Sequence, residues 1–517
     1  MAPSARYDAK LQRGDLSARA FVVCALVVVA FVVIQLEISV STNVSWLLVI
    51  GDKMWGGARL YTDLLEVNPP ASVWLYLPAI WLEHGLGLRA EYGVLAGVTA
   101  LLILSIGFSG RLLARAGIVR NPLVWTLSAL VAFGLVAGDS FAEREHIAAF
   151  LLLPLLSLVA LRMQPEARMS ALEVFIAGVA AGLAVVIKPH FAAAVALPQI
   201  YAAARRRSLA PLLGVENALI LAIAAAYASI AFMFYGDYWA NLIPILADTY
   251  LKATSPILGL IVGIFPGFAL VSIYIIVACK GVGKLADIFP IYLFSAAGFL
   301  LAHFAQGKSW PYHYYPAAAL ALLALLNDAS PRWLAPSGES AGRGRRALPL
   351  TIIALMLLGV DVRAFMPPAS DVEALKPAIA RRFPHPRVLA ITGNLSVSHP
   401  LTREIGGVWV GTFASQWITE NVHSLLRKAP QIEPQRRARL EALEQMDRNI
   451  LIGDLRKGDP DIVLLDKRTS YVDWKAWAKQ PELAALLCAY EPIDSTPAVE
   501  LYARRAGGGA DGECAFR

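Results

Sequence analysis

Along roughly the first 365 positions the dominant pattern is a series of long, unbroken apolar runs. The first covers about residues 20–40, and further runs are centred near residues 78, 100, 130, 154, 180, 198, 222, 267, 294, 321 and 356. Each is long enough, or nearly so, for the roughly 20 residues an α-helix needs to cross a bilayer. The first run is too long for the core of a cleaved signal peptide, and no small-residue cleavage pattern follows it, so it reads as a retained first helix. From about residue 366 the pattern changes, and polar positions return between shorter periodic segments. Arg387–Thr392 (RVLAIT) and Asp461–Asp466 (DIVLLD) read as short buried strands, and Pro434–Met446 reads as an amphipathic helix. The pattern therefore predicts a polytopic α-helical membrane domain over residues 1–365 and a soluble α/β domain over 366–517, the latter large enough for its own core.

Composition agrees and narrows the class. Apolar residues make up 57% of the 517 positions and charged residues only 16%, with a mean hydropathy of +0.56. A soluble globular chain is roughly a quarter charged. Disorder, a nucleic-acid-binding tail and a disulfide-stapled secreted scaffold are excluded on this ground. The net charge of +7 reads as topology, with no nucleic-acid partner implied, because Lys and Arg gather on cytoplasmic loops. Arg6, Lys10, Arg13 and Arg19 precede the first run and place the N-terminus in the cytoplasm. The basic turns Arg111/Arg115/Arg120, Arg162/Arg168, Arg205–Arg207, Lys280/Lys284 and Arg332/Arg343/Arg345/Arg346 are expected on the same side. The turns 139–146, 188–190, 236–255 and 304–316, a first outer loop at 42–70 and the C-terminal domain then fall outside. One tension remains in the stretch 71–110. It must cross an odd number of times but holds two apolar runs, so either the proline-containing run near 78 is not a full crossing or Arg111–Arg120 is an exception to the charge rule. About 11 crossings are expected, N-terminus in and C-terminus out. Cys24 and Cys279 lie in apolar runs and read as inert. Cys488 and Cys514 are able to pair if that end lies outside the cytoplasm.

The remaining charges gather on the outer turns. In the first outer loop, Asp63 and Glu66 are three apart and share a face on a helical turn; solubility of an interfacial segment accounts for them equally well. In Asp139–His146, four ionisable residues in a row, Glu143 to His146, open an apolar helix. The helix dipole favours the acids there, which explains Glu143 and Glu145 without function but leaves Arg144 and His146 unexplained. Lys188-Pro189-His190 joins two apolar helices; the cation can snorkel to headgroups or hold a lipid-linked phosphate as a point charge. In His303–Pro316 (HFAQGKSWPYHYYP), an aromatic belt explains Trp310, Tyr312, Tyr314 and Tyr315. It does not predict Lys308 and His313 among them, whereas aromatic faces beside hydrogen-bonding groups suit sugar rings. Glu37 is a lone carboxylate near the outer end of the first helix. No Cys/His/Asp spacing reads as a metal site, and no P-loop or dinucleotide fingerprint stands in a suitable context.

The loop RLYTDLLEVNPP and the turns AEREHIAAFLLLP, GLAVVIKPHF and GKSWPYHYYP, in that order along residues 15–330 and followed by an outer soluble domain, resemble bacterial GT-C-fold integral membrane glycosyltransferases of the ArnT-like, polyprenyl-phosphate-sugar-dependent type. The resemblance implies an enzyme of the bacterial inner membrane with its active site on the outer face. It implies transfer, with inversion, from a polyprenyl-phosphate sugar to a lipid, glycan or protein acceptor. On that reading Asp63, Glu66, Glu143 or Glu37 is the acid that activates or positions the acceptor hydroxyl. Arg144, Lys188 and Lys308 hold the donor phosphate, and His146, His190, Tyr312 and His313 contact sugar or acceptor. No cofactor is implied. The sequence departs from the family where an aspartate commonly follows the first helix: Ser41-Thr42-Asn43-Val44-Ser45 carries no acid. Two other classes compete. A transporter carries intramembrane charges too, but tends to show internal repeats and broken helices at the midplane, whereas here the charges lie at the rim. A non-catalytic envelope assembly protein would leave the four charged turns a coincidence.

Overall fold

An apolar segment in lipid satisfies its backbone only as a helix, and the apolar runs of this chain are helical throughout the described residues. The computed structural model describes residues 3–38, 40–119, 121–164, 168–262, 288–333, 371–429 and 431–505, together with Cys514 and Phe516. Among these, five helices have the length and apolar content of a membrane crossing: Ala18–Ile38, Ala90–Arg115, Arg144–Arg162, Val215–Phe234 and Ile288–Gln306. Pro122–Leu135 and Ala171–Ile187 are shorter apolar helices. Ala192–Arg206 and Pro311–Trp333 carry the runs near 198 and 321. The runs near 267 and 356, Cys279 and the basic positions 280–284 and 343–346 lie outside the described residues.

The run near residue 78 follows the first of the two alternatives and is too short to cross. It is two short helices, Pro70–Trp74 and Leu77–Leu86, each with a proline at its start. Gly87 at φ +70° ends the second. Ten residues of α-helix span about 15 Å, half of a hydrocarbon core of about 30 Å. Of the two runs in 71–110, only Ala90–Arg115 is long enough to cross. The first outer loop also contains more structure than its sequence suggested. Ser41 caps a helix over Thr42–Trp55, its hydroxyl accepting from the Val44 N–H at 3.3 Å.

The chain packs as two compact units. The first comprises residues 1–39, 94–228 and 255–366; the second comprises 40–93, 229–254 and 367–517. In the first unit the core is helix on helix. Helices Ala192–Arg206 and Ile288–Gln306 approach so closely that a Cβ on Gly298 would lie 2.4 Å from the Ala194 backbone. The buried Trp125 indole donates to the Tyr292 hydroxyl at 2.9 Å. The turns of this unit group into two sets. Arg115 pairs with Glu173 at 2.6 Å and donates to the Arg168 carbonyl, and Arg206 donates to the Arg162 carbonyl. The basic turns assigned to one side are thus bound to each other. The turns at 143–146, 188 and 306–313 are bound to each other in the same way, as described below.

The second unit is built on a five-stranded sheet of order β2-β1-β3-β5-β4. Its strands are β1 (Arg387–Ile391), β2 (Val408–Trp409), β3 (Ile462–Asp466), β4 (Tyr490–Ser495) and β5 (Val499–Arg504). β1 pairs parallel with β2 and β3, while β5 runs antiparallel to β3 and β4. The two strands read from sequence are the central parallel pair, buried almost throughout, as their continuous apolar character demands. The helix read at Pro434–Met446 continues through Gly453 to Gly458 and ends at Asp459, which takes a left-handed conformation at φ +42°. Phe413, Ile418, Val422, Leu425 and Leu440 form a core cluster joined by Leu65 and Ile245. Segments 40–93 and 229–254 therefore belong to the packing of the C-terminal residues. Cys488 and Cys514 form a disulfide, and Cys24 is a free thiol, partly exposed.

Candidate functional site

In the first unit, the turn before Arg144 is held in an uncommon backbone conformation. Gly138–Ser140 forms one 3₁₀ turn, and Ala142 sits at φ +62°, a region non-glycine residues adopt at a cost of about 1–3 kcal/mol. His146 offsets that cost. Its Nδ1 accepts the Ala142 N–H at 3.1 Å, so its Nε2 carries the proton and donates to the Phe133 carbonyl at 2.7 Å. Both ring nitrogens are thereby engaged by backbone. Gln35 on the first helix adds a bond from its amide to the Gly138 carbonyl at 3.1 Å.

This turn projects three charged side chains into the protein. Glu143 is the N-cap residue of the helix starting at Arg144, but its side chain makes no capping bond. The Arg144 guanidinium lies 3.7 Å from its carboxylate instead. Glu145 Oε1 accepts from Lys188 Nζ at 2.5 Å and lies 3.6 Å from His313 Nε2. Lys188 also donates to Gln306 Oε1 at 3.2 Å. Pro189 forces Lys188 into an extended conformation, φ −148°. That ends the apolar helix at Ile187 and turns the lysine into this cluster. Glu143, Arg144, Glu145, Lys188, Lys308 and His313 are all buried. Glu145 Oε2 and His313 Nδ1 have no hydrogen-bond partner among the described residues. His313 packs edge-on against Trp310 and Tyr312, at 5.3 and 4.6 Å between ring centres. His190 is half-buried, its Nε2 without a partner among the described residues and its ring edge against Phe191. Glu37 lies exposed one residue before the end of the first helix.

The loop acids belong to the second unit. Asp63 is about half exposed, and its Oδ2 accepts from the Arg59 N–H at 2.8 Å and from Arg59 Nε at 3.4 Å. The Arg59 backbone N–H beside it holds the Asp63 carboxyl below the usual carboxylate range. Glu66 is 2% exposed. Its Oε2 accepts the Trp46 indole N–H at 2.5 Å, and its Oε1 accepts the Asn68 backbone N–H at 2.9 Å and the Asn68 side-chain amide. Tyr61, at φ +68°, donates its hydroxyl to the Asn68 carbonyl at 2.6 Å. The two acids three residues apart do not share an environment. A turn at 61–64 leaves Asp63 in solvent and brings Glu66 under Trp46. The Trp46 ring in turn faces His399 at 5.3 Å between ring centres. Burial holds the His399 imidazole neutral, down to about 3.

Of the residues singled out in the sequence, the structure brings Glu143, Arg144, Glu145, Lys188 and His313 together, with Tyr312 against His313. Gln306 joins them through Lys188, Gln35 bonds to the turn before them at Gly138, and Trp46 and Asn68 join Glu66. The glutamines were legible as lone amides in apolar runs. Trp46 and Asn68 carried no signal, because an indole N–H and a backbone N–H reveal their acceptor only when folded. No group of three or more His, Cys, Asp or Glu side chains among the described residues is arranged to hold a metal.

By sequence, no family model and no curated protein matches the chain. Among solved structures it matches ArnT from Cupriavidus metallidurans bound to undecaprenyl phosphate, with a TM-score of 0.51 at 14% identity over 94% of this chain and 98% of that one. The apo state of the same ArnT gives 0.51 at 14% identity over 95% and 99%. The oligosaccharyltransferase of Archaeoglobus fulgidus, in complex with zinc and sulfate, gives 0.39 at 12% identity over 91% and 72%, too low to establish a shared fold. The chain therefore has the GT-C fold of ArnT, as its turn motifs implied.

Proposed function

We propose that this chain is a glycosyltransferase. It moves a sugar from a polyprenyl-phosphate donor to a lipid, glycan or protein acceptor, with inversion, at the outer face of the bacterial inner membrane. The observation that carries the reading is the buried cluster at the 143–146, 188 and 306–313 turns, set in a fold shared with a protein crystallised with undecaprenyl phosphate. Arg144, Lys188 and Lys308 are three buried cations on these turns, against two buried carboxylates, Glu143 and Glu145. Arg and Lys are the side chains that bind phosphate oxygens, the one as a planar fork and the other as a point charge, so a lipid-linked phosphate is an anion of the right chemistry for these turns.

In this reading Arg144, Lys188 and Lys308 hold the donor phosphate and stabilise the negative charge that grows on it as the glycosidic bond breaks. The acceptor oxygen attacks the anomeric carbon, the C1–O bond to phosphate breaks, and its electron pair leaves with the polyprenyl phosphate. The acceptor proton passes to a carboxylate. Glu66 is the preferred acid, because three N–H donors fix its carboxylate in one place. Glu143 is the acid candidate within the charged cluster, and exposed Asp63 and Glu37 rank behind both. His313, Tyr312 and His190 line the sugar side, and His146 holds the turn that carries Arg144. The disulfide Cys488–Cys514 supports an extracytoplasmic C-terminal domain, since such bonds persist in oxidising compartments.

Purified protein incubated with radiolabelled undecaprenyl-phosphate sugars and a bacterial membrane lipid extract is expected to release undecaprenyl phosphate. Substitutions Glu66→Gln and Lys188→Met are expected to reduce release at least 100-fold. If Glu66→Gln, Asp63→Asn and Glu143→Gln each keep full activity, the catalytic assignment is wrong. Absence of release together with gradient-driven uptake of sugar into vesicles would make the chain a transporter instead.

A further inference from the structure

Glu66 is fixed by the Trp46 indole N–H, but Trp46 is fixed from elsewhere in the second unit. Its ring meets His399 at 5.3 Å between centres, and His399 meets Trp409 at 5.0 Å. The Trp409 indole N–H donates to the Phe413 carbonyl at 3.0 Å. All three rings are buried, His399 completely. Neither nitrogen of His399 has a hydrogen-bond partner among the described residues, so the imidazole contributes its faces and not its polarity. The residues that follow reach the same loop by two further routes. The Gly411 carbonyl accepts Lys53 Nζ at 2.7 Å, from the last turn of the Trp46 helix. The Thr412 carbonyl accepts the N–H of Leu65, the residue before Glu66, at 3.2 Å. Thr412 is itself anchored, its N–H and hydroxyl both donating to Asp454 at 2.8 and 2.7 Å. Segment 399–412 thus grips both the donor to the carboxylate and the backbone that carries it.

We infer that residues 399–412 of the C-terminal segment position the Glu66 carboxylate, with His399 and Trp409 acting on it through the Trp46 ring. This rests on the reading of Glu66 as the acceptor-activating acid. His399 and Trp409 are positioning residues: neither touches the carboxylate. The ordinary alternative is that the three rings are core packing with no bearing on Glu66. The two differ in what they do to a rate profile. Loss of the indole donor disfavours the charged carboxylate, so the acid limb of the kcat/KM profile moves to higher pH. The position of a limb does not depend on how much folded protein is in the assay, whereas its height does.

The test follows undecaprenyl phosphate release from the labelled donor, with membrane lipid extract as acceptor, from pH 4 to 9. Trp46→Phe is expected to move the acid limb up by about 1 pH unit, the equivalent of one charge-assisted hydrogen bond. His399→Ala and Trp409→Ala are expected to move it in the same direction. His399→Phe keeps the ring and is expected to leave the limb at the wild-type position. An unmoved limb in both His399→Ala and Trp409→Ala, with the limb of Trp46→Phe moved, overturns the role of residues 399–412; where either alanine variant does not fold, His399→Leu and Trp409→Leu take its place in the same comparison. An unmoved limb in Trp46→Phe, with Glu66→Gln inactive, overturns the positioning role alone. A limb moved by His399→Phe as far as by Trp46→Phe overturns the claim that ring packing carries it. A fully active Glu66→Gln overturns the reading of Glu66 as the acid, and the inference with it.

Discussion

Lys188 and Glu145 show how little a residue's type says about its role before its partners are known. In sequence Lys188 is a cation at the rim of two apolar helices, free to snorkel. In the fold it is buried, with Glu145 and Gln306 on its ammonium. Removing one member of a buried ion pair leaves the other uncompensated, at a cost of about 3–5 kcal/mol. Lys188→Met is therefore expected to lower the thermal midpoint in detergent as well as the rate, and Lys188→Met with Glu145→Gln to recover most of the stability and none of the rate. Thermal unfolding followed beside the release assay separates the two. Asp447 makes a different point at the same scale. It accepts from the Thr419 N–H and hydroxyl at 2.9 and 2.7 Å, yet burial pushes its carboxyl up to about 7. The folded state then holds a proton that the unfolded state releases near pH 4. Stability falls as pH rises from about 4 to about 7, by about 1.4 kcal/mol per unit, and is flat above. Asp447→Asn is expected to raise the melting temperature at pH 8 and to leave it nearly unchanged at pH 4.

Between elements, small residues set the distances. Gly298 lets the helices Ala192–Arg206 and Ile288–Gln306 meet backbone to side, with no room for a Cβ. Gly298→Ala is expected to destabilise the protein by about 1–3 kcal/mol. If the proposed function holds, it is also expected to weaken undecaprenyl phosphate binding, because the second helix ends at Gln306, a partner of Lys188. Binding measured by native mass spectrometry checks this; an unchanged affinity would mean that the crossing does not set the geometry of the cluster. Proline acts at the other end of the scale. Pro189 turns Lys188 inward, and Pro70 and Pro78 keep the run near residue 78 short of a crossing. The exposed Trp55, ending the helix Thr42–Trp55, and Trp81, on Leu77–Leu86, suit a membrane–water interface, where indoles are enriched.

For the whole molecule, the short run near residue 78 and the disulfide support the same orientation. In the proposed topology Ala90–Arg115 is the one crossing between the first loop and Arg111–Arg115, which satisfies the positive-inside rule there without exception. A phosphatase reporter that is active only when exported is expected to be active when fused after Arg517; an inactive phosphatase fusion, with a cytoplasm-dependent reporter active at the same position, would reverse the proposed topology. The bond between Cys488 and Cys514 closes a loop of 26 residues, a constraint of about 3–4 kcal/mol. Dithiothreitol, or Cys488→Ser with Cys514→Ser, is expected to lower the melting temperature of the protein, read by differential scanning fluorimetry.

Much of this was legible in the chain, for identifiable reasons. Apolar length fixes a helix in lipid, so the helices long enough to cross near 100, 154, 222 and 294 are where the runs lie. Continuous apolar character fixes a doubly covered strand, so β1 and β3 were read to within a residue. The excess of Lys and Arg set the basic turns apart from those of mixed charge, and the turns within each set bind one another. The sequence even named most members of the buried cluster, because a charge beside an apolar helix is costly enough to need a cause. It did not separate Glu66 from Asp63, because a three-residue spacing implies a common face only on a helix, and Tyr61 turns the chain out of one. Nor did it show that residues 40–93 and 229–254 pack with the C-terminal segment, or that His399 and Trp409 stand behind Trp46. Periodicity records which face of an element is buried. Which distant element buries it, and which donor reaches a given carboxylate, is decided only when the chain closes.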